Sequence, residues 1–383
     1  MGLSARLVAV AACAGTGLAV VSGAAGWGTA HQVLAAIAVP PLAALAFSSR
    51  KLLVPGLIAW ALFGVAAAVT TPAAHLAFAT IAFAATVYVA SFAFRGPAVA
   101  NGPARDYITL TKPRIMSLLL ITGGAGYFVS GRTSFAPFAF TVVGLALACG
   151  GASALNHYLD RDIDKLMGKR TETRPVASGR VPAERALEFG LALSAASFVL
   201  LDSLVNLPTA LLALAGNLFY VVVYTGYLKR STDQNIVIGG AAGAVPPLVG
   251  YAAATGSLAL PAVWLFLIVF LWTPPHFWAL ALMIKEHYSA ANVPMLPGTR
   301  GDGETRRQIL LYSLGLVAFT LVVGFWLGPL YTIAAAGLGA YFLLLAWRLR
   351  RDATRRDAVV LFHYSLAYLA LLFVAAAIDP LIL

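Results

Sequence analysis

The sequence predicts an all-α protein that crosses a membrane many times. Of its 383 residues, 60% are hydrophobic and only 11% carry a charge, whereas about a quarter of the residues in soluble domains are charged. Its apolar runs have the length that a helix needs to span a lipid bilayer, roughly 20 residues. The basic residues lie in short clusters between these runs rather than on one soluble face, which argues against nucleic acid as a partner.

The predicted helices fall into two groups, separated by the stretch RGPAVANGPARD at residues 95–106. This stretch has the Gly, Pro and Asn content of a linker, so we interpret it as a domain boundary. Residues 1–94 are then a four-helix transmembrane domain and residues 107–383 a nine-helix domain. The thirteen predicted spans are 7–24, 31–48, 53–70, 74–94, 115–131, 137–159, 184–204, 207–227, 236–254, 260–284, 308–327, 329–347 and 359–378.

The positions of the basic residues predict the orientation of these spans. With the amino terminus in the cytoplasm, twenty-five of the 26 Lys and Arg residues lie on the cytoplasmic side and only Arg132 lies outside. This distribution obeys the positive-inside rule and places the carboxyl terminus outside the cell membrane. Alternatively, the first span is a cleaved signal peptide, because Arg6 precedes it and the small residues SGAAG follow.

One polar segment, residues 156–180, follows directly on an apolar run and gathers four acidic and six basic residues. Asn156, Asp160 and Asp164 are spaced by four, so on a helix they share one face, while Asp162 points away. Oxygen ligands on one helix face suit Mg²⁺, which completes its shell with water and substrate phosphates. The alternative is a solvated charged loop, but polar groups at the membrane end of a helix are costly and usually functional.

Further basic and polar residues accompany this motif. Three arginines downstream could hold phosphate oxygens by paired hydrogen bonds, namely Arg170, Arg174 and Arg180. Two more polar clusters, YLKRSTDQN at 227–235 and KEHY at 285–288, fall on the same predicted membrane face. Three such clusters around an apolar bundle predict a diphosphate site with a lipid-like tail below it.

The motifs NHYLDRDIDKLMGKRTETRPVASGR, YLKRSTDQNIVIGGAAGAVPPLVGYAAATG and LFLIVFLWTPPHFWALAL, the last followed by NVPMLP, resemble those of the UbiA-type intramembrane prenyltransferases. The resemblance covers about residues 105–383, and nine helices is the number that this family uses. The first motif is shared by the whole superfamily. NIVIGGAAGAVPPLVG and WTPPHFW are similar to the branch that farnesylates heme, the protoheme IX farnesyltransferases or heme O synthases.

The resemblance implies a reaction and a set of site residues. Farnesyl diphosphate and heme b are the implied substrates: a heme vinyl group attacks farnesyl carbon one, and water captures the resulting cation to give heme O. The implied ligands of Mg²⁺ on the diphosphate are Asn156, Asp160 and Asp164. The implied phosphate contacts are Arg174, Lys229 and Arg230.

The last motif of the family departs from its usual pattern in this chain. We expect Lys285, Glu286 and Tyr288 to contact substrate. Where the family usually has an acidic residue before this Tyr, the chain has His287. The number of magnesium ions is therefore left open, with Glu286 as the alternative ligand.

His276, in TPPHFW, has two interpretations. It is either an axial or edge contact for the heme substrate or a histidine packed near a helix kink at Pro274 and Pro275. His157 follows Asn156 but is turned off the ligand face, so we interpret it as a supporting residue.

The first four predicted helices contain His31 and His75, each at the start of its helix and at the same predicted depth. Two imidazoles at one depth in an apolar bundle are what bis-histidine heme ligation requires. The segment AHLAFA weakly resembles one four-helix half of a heme A synthase. This resemblance implies a heme-binding module, or one that docks heme A synthase; the alternative is that each histidine only caps its helix.

Two other functions compete with heme farnesylation. A related enzyme of the same superfamily would prenylate a quinone precursor, which WTPPHFW disfavours. A transporter or a non-catalytic heme-binding membrane protein would also place polar groups in the membrane. Discontinuous repeated halves are typical of transporters, and the sequence does not display them.

Overall fold

The structure is a computed structural model, and it describes residues 104–168 and 171–382 together with Ala11. The predicted four-helix domain with His31 and His75, most of the predicted linker, and Arg170 lie outside the described residues. The described helices are α1 (Ala104–Leu110), α2 (Pro113–Phe128), α3 (Phe135–Leu159), α4 (Arg161–Leu166), α5 (Ala183–Leu204), α6 (Leu207–Ser231), α7 (Asn235–Thr255), α8 (Leu260–Met283), α9 (Lys285–Ala290), α10 (Leu296–Thr299), α11 (Gly301–Leu327), α12 (Pro329–Asp352) and α13 (Arg355–Ile382).

The membrane class predicted from the sequence is confirmed. Eight helices in the described part of the chain, α3, α5 to α8 and α11 to α13, are long and apolar enough to cross a membrane. The sixteen-residue α2 packs in the same bundle, against α7 and α13. The predicted spans agree closely with these helices, except that α11 begins at Gly301 rather than at residue 308. The total of thirteen helices stays a prediction, because the first four lie outside the described residues.

The long helices pack mainly against their neighbours in sequence. α3 lies against α5, α7 against α8, α11 against α12, and α12 against α13. The first long helix, α2, also contacts the last, α13. This contact closes the bundle. The end of α3 and the start of α2 lie together at one end of the bundle, which we call its mouth.

Small residues let α2 and α7 approach each other at backbone distance. A Cβ atom added at Gly250 would lie 1.8 Å from the Gly123 carbonyl oxygen, and one at Gly126 would lie 2.2 Å from the Pro247 carbonyl oxygen. Such close crossings are typical of membrane bundles, where van der Waals contact between helices replaces the hydrophobic effect. The α2–α7 crossing therefore holds these two helices together at the end of the bundle that lies away from Lys112 and Asn156.

The described chain also extends the bundle into the predicted linker. α1 begins at Ala104, and the buried Asp106 accepts hydrogen bonds from Arg180, 3.1 Å from its Nε to Oδ2. Ser153 of α3 donates to the Leu110 carbonyl at 2.6 Å. The first contact holds α1 against the loop that follows the acidic motif, and the second holds it against α3.

Candidate functional site

The acidic motif lies where α3 ends. Asp160 is the last residue before α4 and has φ −85° and ψ 4°, so the helix is interrupted there. The backbone ladder nevertheless continues, since Asp160 N donates to Asn156 O and Asp164 N donates to Asp160 O, each at 2.8 Å. The spacing of four therefore still places Asn156, Asp160 and Asp164 on one face. Their exposed fractions are only 3%, 1% and 1%.

Hydrogen bonds join the first two members of the trio to α6. Asn156 Nδ2 donates to Asp160 Oδ2 at 2.8 Å and lies 3.2 Å from Thr225 Oγ1. Lys229 Nζ donates to the same Asp160 oxygen at 2.5 Å. Residues Phe219–Leu228 of α6 form a π-helix that ends directly before Lys229. π-helical turns often occur at functional sites, and this one brings both Thr225 and Lys229 to the trio.

Arg174 completes the contacts of the third member. Its NH1 atom lies 2.7 Å from Asp164 Oδ1. Burial raises the pKa of the Asp164 carboxyl, while the charge of Arg174 opposes that rise. The loop after α4 thus places Arg174, one of the predicted phosphate contacts, beside the acidic motif.

Each carboxylate of the trio retains one buried oxygen without a hydrogen-bond partner, Asp160 Oδ1 and Asp164 Oδ2. An unsatisfied buried polar atom costs about 1–3 kcal/mol, and more when it is charged, so such atoms need an explanation. A hard cation that binds oxygen satisfies both, and Mg²⁺ needs only one or two carboxylates from the protein. Among the described residues, no group of three His, Cys, Asp or Glu side chains could hold a metal alone. The donor set therefore fits Mg²⁺ whose remaining ligands are water or phosphate.

Lys112 is a site residue that sequence reasoning missed. Its Nζ atom donates to Asn156 Oδ1 at 2.7 Å. It precedes α2 in the left-handed region, with φ 50°, which is uncommon for a lysine. Burial and the charge of Arg174 lower the pKa of Lys112 to about 7. The signal in the sequence is its position directly before Pro113, at the membrane edge of a predicted span.

The trio is thus surrounded by three basic side chains, Lys112, Arg174 and Lys229, against its two carboxylates. A site with this charge is electrostatically suited to an anion that arrives with a divalent metal. If the trio held a metal, these basic side chains would be available to pair with phosphate oxygens.

Arg230 does not reach the buried trio. Its NH1 and NH2 atoms pair with the Asp162 carboxylate at 2.7 and 2.8 Å, and NH2 also donates to the Leu159 carbonyl at 2.8 Å. This guanidinium lowers the pKa of the Asp162 carboxyl well below its usual value. Asp162 has a side chain that is 59% exposed and points away from the trio, as its spacing predicts.

Arg180 is likewise held elsewhere. Besides Asp106, its guanidinium donates to the Thr173 carbonyl at 2.9 Å. Of the two described arginines predicted downstream of the motif, the structure brings only Arg174 to the trio.

The KEHY cluster divides between two places. Tyr288 packs with Ile163 and Met167 on the apolar side of α4. Lys285 pairs with Asp302 at 2.9 Å, and Glu286 and His287 line a separate cavity with it. Tyr288 is therefore the member of this cluster that reaches the helix of the acidic motif.

The structure favours the packed interpretation of His276. The residue is buried in α8, which continues as one helix through Pro274 and Pro275. Its ring is stacked between Trp272 and Phe362, with centroid distances of 4.3 and 4.7 Å, and its Nδ1 lies 2.6 Å from Ser365 Oγ. These contacts tie α8 to α13. A contact with heme stays a prediction.

The fold and the site together define an integral membrane protein with a buried cluster of acidic and basic side chains at one end of a helical bundle. Residues 119–373, more than half of the chain, match the UbiA prenyltransferase family. The chain therefore belongs to the UbiA prenyltransferase family.

Two relatives confirm the resemblance to the heme branch. The chain is 49% identical over 283 residues to protoheme IX farnesyltransferase 1 of Pseudomonas fluorescens, a match that covers 73% of this chain and 94% of that protein. It is 52% identical over 283 residues to protoheme IX farnesyltransferase of a Roseiflexus species, covering 73% of this chain. The match spans about half, 53%, of that longer relative.

A solved structure of a UbiA homolog from Archaeoglobus fulgidus, bound to DMAPP and Mg²⁺, has the same fold. It superposes with a TM-score of 0.56 and 16% identity, covering 70% of this chain and 99% of that one. This likeness confirms the helical architecture predicted from the sequence.

Proposed function

We propose that this protein transfers the farnesyl group of farnesyl diphosphate to a vinyl group of heme b, with addition of water, to give heme O. The observation that carries the proposal is the pair of unpartnered, buried carboxylate oxygens on Asp160 and Asp164 among three basic side chains. The names of relatives at about 50% identity support heme as the acceptor.

In the proposed mechanism, Asn156, Asp160 and Asp164 hold Mg²⁺ together with the diphosphate. When bound, the metal supplies Lewis-acid stabilisation of the negative charge that develops on the leaving group. Lys112, Arg174 and Lys229 are then the protein groups that neutralise the remaining phosphate oxygens. Their present hydrogen bonds to Asn156, Asp164 and Asp160 keep them beside the trio, so that they need only exchange partners when the diphosphate binds. Basic groups held in place in advance reduce the reorganisation that charge separation needs.

The bundle below the trio excludes bulk water from the allylic cation. The motif lies at the end of α3, whose last turns are buried from Gly150 to His157. Exclusion of bulk water strengthens the electrostatic interactions within the site and limits premature hydrolysis of the allylic cation. In this proposal the heme vinyl group attacks farnesyl carbon one, and one water then captures the cation beside the porphyrin ring.

The orientation follows from the positive-inside distribution. We place the site on the cytoplasmic side of the cell membrane, with the carboxyl terminus outside. We also propose that residues 1–94 are a separate transmembrane domain, with His31 and His75 as candidate ligands for a bound heme and heme A synthase as a candidate partner.

The test is conversion of heme b by the purified full chain in detergent with farnesyl diphosphate and Mg²⁺. We expect a product that is more strongly retained on reversed-phase chromatography, with the added mass of a farnesyl group and a hydroxyl group. Chelation of the metal with EDTA is expected to abolish the conversion, and added Mg²⁺ to restore it. Unchanged heme b, together with prenylation of 4-hydroxybenzoate in a parallel reaction, would assign the protein to the quinone branch instead.

A Lys112→Met substitution is expected to raise the KM for farnesyl diphosphate by roughly 10- to 100-fold, the range for loss of one charged hydrogen bond. Methionine keeps the chain length but cannot neutralise a phosphate oxygen. Arg114→Met is the matched control, because Arg114 is exposed two residues away. Steady-state kinetics on both variants check the prediction, and equal KM values for the two would contradict it.

A further inference from the structure

A second polar cavity lies at the mouth of the bundle, apart from the acidic trio. Its volume is about 340 Å³. It is bounded by the end of α8, by α9, by the start of α11 and by the connection between α12 and α13. Its polar lining includes Lys285, Glu286, His287, Asp302, Arg306 and Arg355. Its apolar lining includes Leu282, Met283, Leu349 and Ala358.

The cationic groups of this cavity are incompletely paired. Lys285 is bound to Asp302 at 2.9 Å, but Arg306 Nε is buried without a hydrogen-bond partner. Neither Arg306 nor Arg355 forms an ion pair with another residue of the described ranges. A buried guanidinium nitrogen without an acceptor carries the cost of a lost charged hydrogen bond. Asp302 Oδ1 is likewise buried without a partner. The lining is nevertheless net positive, because three cationic side chains, Lys285, Arg306 and Arg355, face two carboxylates, Glu286 and Asp302. A net positive cavity with apolar walls suits an oxyanion attached to an apolar body.

We infer that this cavity binds the propionate carboxylates of the heme substrate, with Arg306 and Arg355 as their partners. The inference rests on the proposed function. Under that function one substrate brings a diphosphate, which occupies the cations around the acidic trio, and the other brings two carboxylates. Those carboxylates need cations of their own at the same membrane face, and guanidinium groups match carboxylates in bidentate geometry.

The short helix α9 relates the cavity to the reaction site. Tyr288 of α9 packs against an apolar cluster that includes Ile163 of α4, the helix that carries Asp164, whereas Lys285 and His287 of α9 line the cavity. α9 thus contributes residues both to the cavity and to the apolar cluster beside α4. α8 makes the same connection, because Ala281 belongs to the Ile163 cluster and Leu282 lines the cavity.

The chemistry of heme matches this arrangement. Its vinyl groups and its propionates stand on opposite edges of one rigid ring. A ring with its vinyl edge at the acidic trio directs its carboxylates away from the trio, towards the side on which Arg306 and Arg355 lie. The apolar lining, including Leu282 and Met283, then accommodates the ring edge that carries the propionates.

The test compares Arg306→Gln, Arg355→Gln and the double variant with the wild type on two acceptors, heme b and its dimethyl ester. We expect the KM for heme b to rise by roughly tenfold or more in each single variant. The KM for farnesyl diphosphate should stay unchanged. The dimethyl ester, which lacks both carboxylates, should give the same KM in every protein. Arg307→Gln is the matched control, since Arg307 is adjacent, 61% exposed and paired with Glu304.

Two further experiments separate loss of the carboxylate contact from misfolding of the variant and from binding of a lipid headgroup. Arg306→Lys retains the charge and should recover part of the affinity for heme b if the fold of the variant is intact. Repeating the kinetics in neutral vesicles and in vesicles with phosphatidylglycerol tests whether a lipid headgroup is the occupant instead. An effect of Arg306→Gln that occurs only with the anionic lipid, or equally on the dimethyl ester, overturns the inference. An unchanged KM for heme b overturns it too, whereas a wild type that converts no heme overturns the proposed function itself.

Discussion

Asp160→Asn is expected to abolish farnesyl transfer, with a loss of kcat of at least roughly 10³-fold. Removal of a single preorganised electrostatic group commonly costs 10²–10³-fold, and this change also removes a metal ligand. It leaves Lys229 without the carboxylate that it now contacts. The measurement is single-turnover formation of the farnesylated heme at saturating substrate and Mg²⁺.

The matched control for this variant is Asp162→Asn. It makes the same chemical change two residues away, on a side chain that is 59% exposed and paired with Arg230. We expect its kcat to stay within about threefold of the wild type, because exposed ion pairs contribute little. Equal losses of kcat in the two variants would show that the total negative charge of the segment matters, rather than the buried trio.

Gly250→Ala is expected to destabilise the protein strongly. Its new methyl group would lie 1.8 Å from the Gly123 carbonyl oxygen, and the obstructing atom is backbone, which cannot rotate away. Overpacking usually costs about 1–3 kcal/mol, and a forced separation of α2 from α7 reaches the upper end of that range or exceeds it. Thermal unfolding in detergent, followed by tryptophan fluorescence, should give a Tm that is lower by many degrees.

Gly243→Ala is the control on the same helix. A Cβ atom at Gly243 would meet no atom within 4 Å, and alanine favours a helix over glycine by about 1 kcal/mol. We therefore expect this variant to be as stable as the wild type or slightly more so. A similar loss of Tm in both variants would contradict the close α2–α7 crossing.

The sequence could predict the parts of the site that depend on local spacing. Asn156, Asp160 and Asp164 follow the helical period, and that period survives the break at Asp160 because the backbone ladder continues. The long apolar runs likewise predicted the helices, because the bilayer imposes both their length and their composition.

Contacts between distant parts of the chain could not be predicted in this way. Lys112 contacts Asn156, forty-four positions away. Arg174 and Arg180 are indistinguishable by residue type, yet one pairs with Asp164 and the other with Asp106. Only the tertiary arrangement of α1 and the loop after α4 decides between them. His276 is similar, since its partner Ser365 lies eighty-nine positions away on another helix.

The most direct test of the account is binding of a farnesyl thiodiphosphate, which ionises slowly, to the purified protein with and without Mg²⁺. Isothermal titration should show tight binding to the wild type only when Mg²⁺ is present. An Asp160→Asn, Asp164→Asn double variant should bind weakly and lose the dependence on Mg²⁺. Equally tight binding by the double variant, or binding by the wild type that ignores Mg²⁺, would contradict a metal–diphosphate site built on these two carboxylates.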